Sequence, residues 1–161
     1  MQQANAALFI IMLVFIWMAV KTGCIGLGLY LPLRYPVAHQ RMLLLYQTRP
    51  HWCFFIGLLN SIVAFLVFAV LAKVPGPALI GVFLLAALIA TGAAGYSLAY
   101  RDFAERLQTQ SPEAQPSPLH APLLLEAAYM APIAGQILSI LTFFRGIGAI
   151  HLSLLSRRAA P

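Results

Sequence analysis

Charge is what this sequence has least of. Only 9% of its residues are charged, against about 25% in an ordinary soluble domain. Just four are acidic: Asp102, Glu105, Glu113 and Glu126. A chain so poor in polar sequence cannot clothe a water-soluble core, so lipid must surround most of it. Cysteine is scarce as well. Cys24 and Cys53 are the whole supply, too few for a disulfide framework. No Cys-x2-Cys pair or other fixed ligand spacing exists, so Cys24, His39, His51 and Cys53 read as ordinary interfacial residues, with no metal or haem. There is no Gly-x-Ser-x-Gly, P-loop, His-Glu-x-x-His or dinucleotide fingerprint. Gly23, Gly26 and Gly28 are closely set but follow no strand, which excludes a phosphate cradle. These absences point to a non-enzymatic protein without a cofactor.

What the sequence has instead is apolar length. Apolar residues make up 61% of the 161, gathered into stretches at 6–33, 52–72, 78–100 and 123–150. Each is long enough for a bilayer core of about 30 Å, which takes about 20 helical residues. The expected fold is therefore all-α, a single integral membrane domain of four transmembrane helices. Lys73-Val-Pro-Gly-Pro is a tight, helix-breaking turn, so the second and third spans form an antiparallel hairpin. A Pro-rich loop is expected at 109–122. Before it, Arg101/Glu105 and Asp102/Arg106 are spaced i,i+4, as on a helix emerging into water. The last span is expected to kink or break, at Pro132–Gly135 or at Gly146–Gly148. Whether it crosses once or turns back stays open, and with it the side of the C-terminus.

The net charge of +6 does not suggest nucleic acid, because the basic residues are dispersed rather than striped. Arg34, Arg41 and Arg49 in the first connection, with Arg101 and Arg106 in the third, outnumber Lys73, Arg157 and Arg158. That excess places the long connections in the cytoplasm. Arg34, Arg41 and Arg49 are candidates for anionic headgroups or a cytoplasmic partner. The expected location is a bacterial inner (plasma) membrane, with no signal peptide removed.

Ionisable and polar residues inside apolar spans are the default functional candidates. They are Lys21, Asn60, Glu126, Gln136 and Arg145, which could line a polar path. The plainer expectation is that Lys21 snorkels to an interface, that Glu126 and Arg145 mark opposite interfaces, and that amides and hydroxyls join helices. Trp52, Tyr96, Tyr100 and Tyr129 fall near proposed span ends, where amphipathic rings favour headgroup depth. Small residues recur at four-residue spacing: Ala86, Ala90 and Ala94 in the third span, and Ala127, Ala131, Gly135 and Ser139 in the fourth. Such rows let backbones approach closely. They are expected to pack the third span on the fourth, or to dock a second copy or another membrane protein.

Arg49-Pro50 through Gly57, Ala131-Pro-Ile-Ala-Gly-Gln-Ile-Leu and Arg145-Gly-Ile-Gly-Ala149 together form a further pattern. It resembles the membrane domain of some bacterial bactofilin-like (polymer-forming) proteins over roughly 49–155. This chain lacks their β-helical polymerising domain and adds the span at 6–33. The resemblance implies a role beside a scaffold and brings no catalytic residues. The leading expectation is a small scaffold or accessory subunit. The alternatives are a small transporter or channel subunit using the polar path, and an enzyme on lipid or quinone through His39, His51 or His120.

Overall fold

A computed structural model describes residues 2–73, 78–110 and 117–157; in the first helix most side chains before Met18 lie outside that description. The elements are α1 (Gln2–Arg34), α2 (Pro36–Thr48), α3 (Pro50–Leu71), α4 (Ala78–Gln110), α5 (His120–Tyr129) and α6 (Ala134–Arg157). The all-α expectation holds. Among the described residues, three helices and not four are long and apolar enough to cross a membrane: Pro50–Leu71, Ala78–Gln110 and Ala134–Ser156. The expected first span falls within α1. Its first half lies largely outside the described side chains, and its second half carries Lys21 and is followed directly by Arg34.

The connection expected as a loop between the first two spans is mostly the helix α2. Proline sets both of its boundaries. A residue preceding proline is pushed out of the helical region, and Tyr35 and Arg49 adopt nearly the same angles, φ −132° with ψ 59° and φ −129° with ψ 54°. Each following proline then sits at the first position of a helix, where its missing N–H is not needed. Between the breaks, His39, Leu43 and Tyr46 share one buried face, at the i, i+4, i+7 spacing of an amphipathic helix.

Helix α4, about 50 Å long at 1.5 Å per residue, outlasts its apolar stretch as expected. Arg101 pairs with Glu105 at 3.2 Å and Arg106 with Asp102 at 3.1 Å. Gln47 of α2 bonds to both carboxylates, Asp102 and Glu105, at 3.0 Å. The Pro-rich loop is shorter than expected, because α4 includes Gln110 and α5 starts at His120. Its Ser111–Pro116 part lies outside the described residues.

The final segment is broken at the first of the two sites foreseen. Ile133 closes the turn between α5 and α6 at φ 63°, a conformation that opposes a β-branched residue. Gly135 follows directly beneath the carbonyls of Ala128 and Tyr129, where a Cβ would lie 2.5 Å from either oxygen. The second foreseen break, Gly146-Ile-Gly148, lies inside the unbroken α6.

Those two glycines instead bring three helices together. A Cβ on Gly148 would collide with the Cys53 carbonyl of α3, and one on Gly57 with the Phe144 carbonyl of α6. Gly146 and Gly95 of α4 meet face to face, each excluding a Cβ from the other at 2.5 Å. Gly92 lies under the ring of Phe143. The third and fourth expected spans do pack, but not through the alanine rows. Ala86, Ala90, Ala127 and Ala131 are exposed, Ala94 and Ser139 half-buried, and Gly135 is buried against its own turn. Hydrogen in place of a methyl lets backbones approach more closely than alanine does, and the glycines take the crossing.

Candidate functional site: a charge pair in a tyrosine cage

The core is gathered where α1, α2, the start of α3, α4, α5 and the middle of α6 converge. Its apolar members include Cys24, Leu43, Cys53, Leu98 and Ala149, and three of its largest are tyrosines: Tyr96, Tyr100 and Tyr129. Inside it lies an ion pair. Lys21 Nζ is 2.8 Å from Glu126 Oε2, and the two side chains are only 17% and 9% exposed. The ammonium also sits over two aromatic faces, 5.1 Å from the Tyr96 ring centre and 4.9 Å from that of Tyr129. Ring quadrupoles attract a cation in this position, and more strongly once water is removed. The other carboxylate oxygen, Glu126 Oε1, accepts the Tyr100 hydroxyl at 2.5 Å.

The surrounding hydroxyls complete the network. Tyr129 donates to Thr142 at 3.0 Å, and Tyr96 reaches the Ser139 carbonyl at 3.1 Å and its hydroxyl at 2.7 Å. Tyr96 and Tyr129 meet edge to face with centres 5.7 Å apart. Gly28 allows this assembly, since a Cβ there would fall 2.6 Å from the Tyr100 ring. Every polar tip therefore has a partner, which is what makes such a cluster stable away from water.

Three expectations change here. Lys21 does not snorkel to water; it turns inward to Glu126. Glu126 pairs with Lys21 and not with Arg145. The tyrosines are not an interfacial belt, because their hydroxyls find partners within the core; of the four aromatics named, Trp52 alone is exposed. The rest of the proposed polar path is scattered. Arg145 donates to the Tyr46 carbonyl at 3.1 Å and stacks on the Tyr46 ring at 4.2 Å, leaving its Nε buried without a hydrogen-bond partner. Gln136 is exposed. Asn60 lines a separate groove with Thr91 and His151. Arg34, Arg41 and Arg49 are all exposed, Arg34 stacked on Tyr35 at 5.6 Å.

The histidines do not form an acid–base site with Glu126. His39 is buried and shares a hydrogen bond with Ser97 at 3.2 Å. Burial, reinforced by nearby Arg101, lowers its pKa below the ordinary histidine value. His51 and His120 are exposed. Cys24 and Cys53 are unpaired thiols, and no group of three metal-ligating side chains occurs among the described residues. Beside the cage a cleft of about 500 Å³ opens between α1, α4 and α5, lined by Tyr100, Arg101, Leu33 and Pro122 among others.

The sequence named Lys21 and Glu126 separately. A signal for their meeting was present: Lys21 is the lone charge of the first apolar stretch, Glu126 the lone carboxylate of the last, and opposite charges in lipid seek each other. Compared with protein-family models, with curated proteins and with solved structures, the chain matches none.

Proposed function

We propose that this is a small scaffold or accessory subunit of a bacterial inner membrane, built to hold a rigid intramembrane surface to a partner. One observation carries the reading. The close contacts inside the protein use Gly57, Gly95, Gly146 and Gly148 and leave Ala86 and Ala90 exposed among Ile80, Val82, Phe83 and Ile89. A row of small residues that the fold itself does not use is suited to close approach by another helix. The ion pair and its tyrosines keep α1, α4 and α5 in one arrangement behind that surface. The exposed Arg34, Arg41 and Arg49 suit anionic headgroups. A transporter or channel subunit would draw on a continuous polar path, and Asn60, Gln136 and Arg145 stand apart from Lys21 and Glu126. The bactofilin-like resemblance supplies no residue to this reading.

The test replaces Ala86 and Ala90 together with leucine and compares complex size in gently solubilised native membranes. The expected result is a smaller complex with the unfolding temperature of the purified subunit unchanged. A complex of unaltered size would contradict the assembly role.

A further inference from the structure

A second site lies in the lipid-facing half of the protein, away from the ion pair. Between α3, α4 and α6 a groove of about 460 Å³ is lined by aliphatic side chains and by three polar ones, Asn60, Thr91 and His151. That volume is in the range of ordinary small-molecule sites, which combine apolar walls with a few placed polar groups. The hydrogen-bonding state of each polar group is readable.

Thr91 donates its hydroxyl proton to the Ala87 carbonyl at 2.7 Å. His151 Nδ1 lies 2.9 Å from the Ile147 carbonyl. A carbonyl can only accept, so Nδ1 carries a proton, and in that tautomer Nε2 is the ring's acceptor. The Asn60 amide makes no side-chain hydrogen bond among the described residues. It stands midway along α3, whose 22 residues are apolar enough to span a membrane. Unsatisfied polar groups at that depth are costly. The groove thus offers three acceptors, Asn60 Oδ1, Thr91 Oγ1 and His151 Nε2, and an amide donor to whatever enters from the lipid, and no lysine or arginine lines it.

We propose that this groove binds a neutral membrane-soluble molecule with a hydroxyl on an apolar body, the hydroxyl donating to His151 Nε2 and accepting from the Asn60 amide. Phospholipids are disfavoured twice over: their headgroups stay at the interface, and the groove has no charge to hold a phosphate. Two sources share the required chemistry, a quinol and a long-chain isoprenoid alcohol. Such a site requires only that α3, α4 and α6 lie in a bilayer, whichever face carries assembly.

The test places the full chain in phosphatidylcholine nanodiscs with ¹⁵N-labelled histidine and titrates decylbenzoquinol, decylbenzoquinone and farnesol in turn. Movement of the His151 Nε2 resonance with quinol alone identifies a quinol site; movement with both quinol and farnesol identifies a site for the hydroxyl itself. Quinone lacks the O–H donor and should leave the resonance in place. Asn60→Leu should weaken binding about tenfold, the worth of one hydrogen bond of ~1.4 kcal/mol. Gln136→Leu, an exposed polar position outside the groove, should leave it unchanged. No movement with either hydroxylated probe, or equal movement with quinone, would overturn the proposal. So would binding that survives Asn60→Leu undiminished in a protein that keeps its wild-type unfolding temperature.

Discussion

Between Leu79 and Ile89, helix α4 exposes Leu79, Ile80, Val82, Phe83 and Ile89, whereas from Gly95 to Tyr100 every residue is buried. The two stretches belong to one unbroken helix, and the exposed one is the more hydrophobic. Soluble proteins sort the other way, with apolar side chains inside. Here the buried half contains Tyr96, Ser97 and Tyr100, whose hydroxyls bond to Ser139, Ala94 and Glu126. It also contains Gly95, against which Gly146 rests. In lipid, aliphatic surface gains little by leaving its solvent, so polar partners and close backbone approach decide what is inside.

The largest effect should come at the glycine crossings. Gly148→Leu places side-chain atoms into the Cys53 backbone, which cannot yield as a flexible side chain would. We expect a loss of about 3 kcal/mol or more, read as failure to give a monodisperse protein in mild detergent. Gly23→Ala and Gly26→Ala are the matched controls, since a Cβ there meets nothing. They should be neutral or stabilising by up to about 1 kcal/mol.

The ion pair comes next. Lys21→Met leaves the Glu126 carboxylate without its cation and should cost about 3 kcal/mol, measured by unfolding in detergent. Lys21→Met combined with Glu126→Leu should recover most of that loss. A double variant as unstable as the single one would mean that the pair itself holds α1 in place.

At the α5–α6 turn the sign reverses. Ile133 is exposed, so Ile133→Gly removes little packing while relieving the left-handed backbone, and should stabilise by about 1 kcal/mol. The smallest effect concerns pH. His39 has its folded pKa lowered, foremost by burial and then by Arg101, so the folded state favours the neutral ring. Its contribution is complete above the unfolded value near 6.5 and is lost progressively as pH falls below it. His39→Phe should flatten that part of the stability profile.

Much of this architecture is legible in the sequence, and the exceptions have a common cause. Apolar run length locates α3, α4 and α6, the i,i+4 charges place the end of α4, and Pro132 with Gly135 marks the turn before α6. Helix α2 stays hidden because its buried face of His39, Leu43 and Tyr46 is too polar to stand out beside far more apolar neighbours. The alanine rows look like the packing surface because spacing records which residues share a face, not which face meets another helix. The tyrosine cage is the clearest omission. Aromatics near span ends read as interfacial until partners for their hydroxyls are known, and those partners are remote in sequence, as Tyr100 and Glu126 are. Asn60 and His151 are likewise far apart in the chain, so their shared groove emerges only from the packed helices.

The most direct measurement follows α4 out of the bilayer. Single tryptophans at Phe83 and at Gln108, in a background with Trp17 and Trp52 replaced by phenylalanine, would be tested against brominated lipid and aqueous acrylamide. An apolar half in lipid and a charged end in water predict quenching of the Phe83→Trp variant by brominated lipid and of the Gln108→Trp variant by acrylamide. Quenching of both by acrylamide, with no response to brominated lipid, would contradict the membrane-embedded arrangement from which everything else is argued.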